Sequence, residues 1–399
     1  MRTSISASFL FWLMMSHQLV DAHHTSAGGH EHPHTHIPHE EEVWKFKYGD
    51  QVDLPFTGPL SFSHLPYAKC LDDPSKLFDI AILGLPFDTA VSYRPGARFG
   101  PFGIRSGSRR QRPEIGYTLG WKLNPYDEQH GLKIIDCGDV PISPFDNSLA
   151  IDQISAAYTT LLSRPLPATS SSTLLHPRIV SLGGDHTIVL PILRSLNQIY
   201  KRPISVIHFD AHLDTWPPVK ERYPAMSMTE QSQISHGTFF WKAAQEGLIA
   251  QESSIHAGIR CKLAGPEDLV HDASVGFELI TTDDIEDLGI PEIIRRIRKR
   301  VGDSPVYLSL DIDVIDPGLA PATGTPEAGG WTPREVKRIL RRLSGLNFVG
   351  FDLVEVAPVY DTNAEVTSLI AADIVHDFLS MMVHAGPSKK ITTNTKDEL

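Results

Sequence analysis

Ile204-Ser205-Val206-Ile207-His208-Phe209-Asp210-Ala211-His212-Leu213-Asp214 decides how this chain is read. Residues 204–209 form a short β-branched and aromatic run, the composition of a strand, and the run leads directly into carboxylates and imidazoles. Side chains alternate along extended backbone, so Asp210, His212 and Asp214 are expected on one side. Two other strand-like runs end in the same way. Residues 179–182 lead into Gly183-Gly184-Asp185-His186-Thr187, and residues 306–310 into Asp311-Ile312-Asp313.

Working outward, five more runs read as strands: residues 79–85, 133–137, 254–259, 277–281 and 348–353. Between the runs lie helical patterns at 151–162, 188–200, 291–301, 333–343 and 364–383, two of them opened by Pro291 and Pro333, as suits a first helical turn. Strands alternating with helices predict an α/β fold with a parallel sheet covered on both faces. In such a sheet ligands bind outside the carboxyl ends of the strands, where these polar clusters fall.

Composition narrows the function. The 399 residues carry 36 Lys and Arg against 48 Asp and Glu, a net charge of −12 that repels nucleic acid and anionic membrane surfaces. Gly and Pro, at 29 and 30, are at ordinary levels for a globular protein. The three cysteines, Cys70, Cys137 and Cys261, are too few for a disulfide framework and include no CxxC pair, so stability is expected from packing.

The two ends read as addresses. Arg2 precedes an apolar run from Ile5 to Met15, and Val20-Asp21-Ala22 resembles a signal peptidase site, so residues 1–22 are expected to be a cleaved signal peptide. No later apolar run is expected to reach the length that spans a membrane. Residues 23–42 hold seven histidines followed by Glu40-Glu41-Glu42, a polar tail able to bind divalent metals loosely. Residues 43–385 read as a single domain, and residues 386–399 as a tail ending in Lys396-Asp397-Glu398-Leu399, the tetrapeptide read by the endoplasmic reticulum retrieval receptor. The expected location is the lumen of the endoplasmic reticulum.

If the three polar strand ends converge, several carboxylates share one small space. Like charges so close cannot all stay ionised without cations. Two divalent ions would compensate them, and oxygen-rich ligands with only two imidazoles favour a hard or borderline metal such as Mn²⁺. Such a pair lowers the pKa of a shared water and supplies hydroxide at neutral pH.

The motifs Gly183-Gly184-Asp185-His186, Asp210-Ala211-His212-Leu213-Asp214 and Ser309 to Pro317, with His236-Gly237-Thr238, Gly324-Thr325-Pro326-Glu327 and Asp352 to Val356, resemble the ureohydrolases, the family of arginases and agmatinases. The resemblance runs over residues 77–383. It implies a three-layer α/β/α fold with an eight-stranded, mostly parallel sheet, two Mn²⁺ per chain and a homotrimer or homohexamer. It also implies that His186, Asp210, Asp214 and Asp311 hold one metal, and Asp210, His212, Asp311 and Asp313 the other, with Asp210 and Asp311 bridging. Glu355 would pair with a substrate guanidinium, Asp214 would return a proton to the leaving amine, and His236 would move protons or orient substrate.

The His-Gly-Thr-Phe-Phe run from His236 and the Glu at 327 resemble agmatinases more than arginases, so the expected reaction is agmatine to putrescine and urea, within polyamine metabolism. Alternatives are the same hydrolysis of 4-guanidinobutanoate, a non-catalytic metal-binding protein of the lumen, or a mononuclear zinc deacetylase. Residues 215–235 are expected to line the pocket mouth.

Overall fold

In the computed structural model, which describes residues 60–168, 174–219 and 228–384, all eight expected strands form. They are β1 (Ile80–Leu85), β2 (Ile134–Asp139), β3 (Arg178–Gly183), β4 (Ser205–Phe209), β5 (Ser254–Ile259), β6 (Phe277–Thr281), β7 (Val306–Asp311) and β8 (Phe348–Val354). They make one sheet in the order β2-β1-β3-β8-β7-β4-β5-β6. Every pairing is parallel.

The described helices are α1 (Gly100–Gly107), α2 (Asn147–Leu162), α3 (Val189–Tyr200), α4 (Phe239–Gln245), α5 (Pro266–Val275), α6 (Asp284–Asp287), α7 (Ile290–Val301), α8 (Pro333–Leu343) and α9 (Val366–His384). Sequence reading missed α1, α4, α5 and α6. Three of the eight residues of α1 are glycines, α4 and α6 span only two turns or fewer, and α5 carries few apolar residues, so none shows a clear 3.6-residue period.

Strand side chains of alternate parity go to opposite faces. Ile82, Val180, Leu308 and Phe351 pack with Ile293 and Ile297 of α7, Ile339 of α8 and Phe378 of α9. Ala81, Ile179, Val206 and Val349 pack with Ile154 of α2, Ile192 of α3 and Phe240 of α4. The result is three layers, α/β/α, with the sheet buried on both sides as parallel sheets are.

Two expectations need correction. Cys70 and Cys137 form a disulfide across 67 residues. Sequence spacing hides this pair, because it arises when the segment before β1 pairs with β2: Tyr67 bridges Asp136 and the Ala68 amide donates to the Asp136 carbonyl at 2.9 Å. Such a cross-link adds typically about 2–4 kcal/mol to the packing contribution. The second correction concerns α9, whose 19 residues are long and apolar enough to cross a membrane by composition. It is a core helix, with 72% of its most apolar window buried. The expected signal peptide, the His-rich tract and the terminal tetrapeptide lie outside the described residues.

Candidate metal centre and pocket

The four central strands β3, β8, β7 and β4 deliver the polar groups to one edge. His186 follows β3, Glu355 follows β8, Asp311 ends β7 with Asp313 just beyond it, and Asp210, His212 and Asp214 follow β4. The chain passes from β3 to β4 across the two places that β7 and β8 fill later, which opens a crevice at the strand ends. Gly184 permits the close approach there. A Cβ on it would lie 1.9 Å from the Phe87 carbonyl oxygen, so the loop after β1 packs directly on the Gly183-Gly184 turn.

All six metal-ligand candidates meet. His186 Nδ1 lies 3.0 Å from Asp210 Oδ2, 3.1 Å from Asp214 Oδ2 and 3.4 Å from Asp311 Oδ2. His212 Nδ1 lies 3.2 Å from Asp210 Oδ1 and 3.1 Å from Asp313 Oδ2. The two oxygens of Asp210 therefore face two different imidazoles, the disposition of a bridging carboxylate. Asp311 sits against the His186 half, and its other oxygen accepts the Asp313 amide at 2.8 Å.

Convergence was legible, but simple alternation does not produce it. The strands end at Phe209 and Asp311; Asp214 takes φ = 56° and Asp313 lies in a 3₁₀ turn. Glu355 also has positive φ, 60°. Positive φ is costly for residues other than glycine, and here it occurs at two of the polar positions of the site.

His186 is oriented from behind. The Ser309 hydroxyl donates to Asp352 Oδ1 at 2.9 Å, so its oxygen is left to accept from His186 Nε2 at 2.7 Å. That places the Nε2 proton and turns Nδ1 toward the carboxylates, as metal-binding histidines are arranged. Sequence reading missed this pair and also His208, whose Nε2 lies 2.9 Å from Asp210 Oδ2. Position 208 has the parity of 210, 212 and 214, a signal that was present in the stretch.

The donor set fits a cation pair. His186 Nδ1, Asp210 Oδ2 and Asp313 Oδ2 are buried without a hydrogen-bond partner, each facing the cluster. On the protein's own charges, burial and then Asp313 and Asp210 push Asp311 well above the carboxylate range, and burial and Asp210 raise Asp313 to about 6. Asp210 is held low despite its burial, chiefly by His208 and His186. Divalent ions would relieve that repulsion.

Beside the cluster the Ser92 amide donates to His236 Nε2 at 2.9 Å. A backbone N–H can only donate, so neutral His236 carries its proton on Nδ1, which lies 3.3 Å from Glu355 Oε1. Burial opposes a charge on His236, yet Glu355 outweighs it and lifts the pKa. Glu355 Oε1 also accepts the His186 amide at 2.9 Å, while Oε2 is buried with no partner.

A cavity of about 220 Å³ opens beside Ser92 and His236, its lining also including Asp214, Asp311 and His212, with Trp216 and Thr325. Ser235 and Trp216 bear out the expected lining from residues 215–235; residues 220–227 lie outside the described residues. The volume is below the roughly 300–1,000 Å³ of pockets for drug-sized ligands, so the site suits a small molecule.

Residues 78–381 match the arginase family. The chain belongs to the arginase family. It is 52% identical over 339 residues to the Schizosaccharomyces pombe protein named "Putative agmatinase 1", covering 84% of each chain. Against the agmatinase of Chromobacterium violaceum it is 35% identical, covering 84% of this chain and 92% of that one. The solved proclavaminate amidino hydrolase of Streptomyces clavuligerus superposes with a TM-score of 0.70 at 32% identity, over 84% of this chain and all of that chain (100%). The expected limits, residues 77–383, agree closely with the family match. The arginase family is metal-dependent, and the buried His and Asp cluster is compatible with a metal site in this chain.

Proposed function

We propose that this arginase-family hydrolase holds two Mn²⁺ and converts agmatine to putrescine and urea. The observation that carries the two-metal reading is Asp210, whose Oδ2 faces His186 and whose Oδ1 faces His212. His186, Asp210, Asp214 and Asp311 would hold the inner ion, and Asp210, His212, Asp311 and Asp313 the outer, with Asp311 as second bridge. Manganese suits a set of four carboxylates and two imidazoles. Bound there, the ions would supply hydroxide at neutral pH.

The chain's own groups do the rest. A guanidinium is planar and cationic, and Glu355 presents a buried carboxylate oxygen, Oε2, to pair with it. His236 fixes the other oxygen through Nδ1–H, so the carboxylate is aimed before substrate arrives. Asp214, which lines the cavity, is placed to hand a proton to the leaving amine.

Tail selection follows from the lining. Among the described residues no Lys or Arg lines the cavity, whereas Trp216 lines it and its ring can accept an ammonium. The high identity to a protein named for agmatine hydrolysis supports the same choice. Exposed Tyr93, Phe99, Phe102 and Val359 support a homo-oligomer, a trimer or hexamer. The Cys70–Cys137 disulfide, with the leader-like residues 1–22 and the Lys396-Asp397-Glu398-Leu399 tetrapeptide, supports a place in the secretory lumen, where disulfides persist.

The test is urea release by the Mn²⁺-loaded protein from agmatine, 4-guanidinobutanoate and arginine. Agmatine should give the highest kcat/KM and arginine a value at least about tenfold lower, the loss of one charged pairing. Equal rates on arginine would overturn the substrate assignment.

A further inference from the structure

Behind the metal cluster runs a buried polar chain that the proposed chemistry does not use. His208 Nδ1 lies 2.7 Å from His256 Nδ1, and His256 Nε2 lies 3.0 Å from Asp272 Oδ1 in α5. One Nδ1 must donate and the other accept, so neither ring turns without the other. His256 stacks on Phe277 with centroids 3.9 Å apart at 12°, and Phe240 packs edge-on against His208, which closes off other rotamers.

Asp272 has a second arm. Its Oδ1 accepts the Thr215 hydroxyl at 2.7 Å, and the neighbouring His271 donates through Nε2 to the Thr215 carbonyl at 2.9 Å. Thr215 directly follows Asp214, the residue held at φ = 56°. Helix α5 thus grips Thr215 at both its hydroxyl and its carbonyl.

Both arms end on the same half of the cluster. Asp210 Oδ2, the oxygen that His208 touches, is the one that faces His186, while Oδ1 faces His212. Asp214 likewise contacts His186. We propose that Asp272 is a positioning residue for the inner metal position, fixing Asp214 through Thr215 and, through His256, fixing the place of the His208 ring, whose Nε2 lies beside Asp210 Oδ2 without a hydrogen bond. This places part of the metal site's specification in a helix that contributes no ligand to it. Partners of this kind typically change metal affinity by about 10–100-fold.

The inference rests on the two-ion reading, and the test separates the two. Full-length protein stripped of metal is titrated with Mn²⁺ by calorimetry, alongside Asp272→Leu and Asp272→Asn. Wild type should bind two equivalents; fewer would overturn the two-ion reading. Asp272→Leu removes the acceptor and should weaken one step by about 10–100-fold while the other stays within about threefold. Asp272→Asn keeps an oxygen at Oδ1 and should restore most of that affinity. Two unchanged steps, or two steps weakened alike, with wild type still binding two ions, would overturn the role of Asp272. If Asp272→Leu does not fold, the same criteria apply to His256→Phe, which keeps the ring on Phe277 and removes both nitrogens.

Discussion

The two halves of the Asp210 cluster differ in how firmly their imidazoles are held. His186 is 1% exposed, its Nε2 is bonded to Ser309, and its ring lies 4.9 Å from that of Phe239. The His212 side chain is 16% exposed, and the carboxylate nearest its Nε2, Glu327 Oε1, is 3.9 Å away. A ligand whose second nitrogen is bonded loses little freedom on binding a metal, whereas one facing a cavity must be ordered first. The inner ion should therefore be the tighter and the slower to leave, and the outer ion the one that exchanges.

The largest expected effect comes from removing what the halves share. Asp210→Ala should lose both ions and essentially all urea production, because each half loses a carboxylate and the remainder keep their repulsion; elemental analysis gives the count. Asp313→Ala should break the symmetry, keeping about one ion per chain, and a protein that lost both would contradict the division into halves.

His236→Asn comes next, lowering kcat by about tenfold to a thousandfold with metal content unchanged, since Glu355 loses its Nδ1–H partner but no proposed ligand is touched. Ser309→Ala should weaken the inner ion alone, by about 10–100-fold, read as faster loss to a chelator. Smallest of all, Ser92→Ala should change kcat less than about threefold, because the backbone amide that donates to His236 Nε2 remains.

Why the ligands were legible while their supports were not follows from where each lies in the chain. His186, Asp210 and Asp311 each sit within a few residues of an apolar strand run, so a local pattern exposes them. The eight strands were legible for the same reason: buried parallel strands are continuous β-branched runs. Ser309, Asp352, His256 and Asp272 come from three strands and a helix, and only strand order brings them behind the ligands. The Cys70–Cys137 pair escaped for the same cause, being joined by a bridge to the edge strand β2. His208 is the exception, visible by parity next to Asp210 and passed over because it precedes the polar cluster.

Whether two ions act together is tested most directly by returning Mn²⁺ stepwise to metal-free protein. Urea formation from agmatine is measured after each fraction of an equivalent. The first equivalent should fill the firmly held inner position with little activity, and urea production should rise through the second. Full activity at one equivalent, with no further rise at two, would contradict joint action of the two ions.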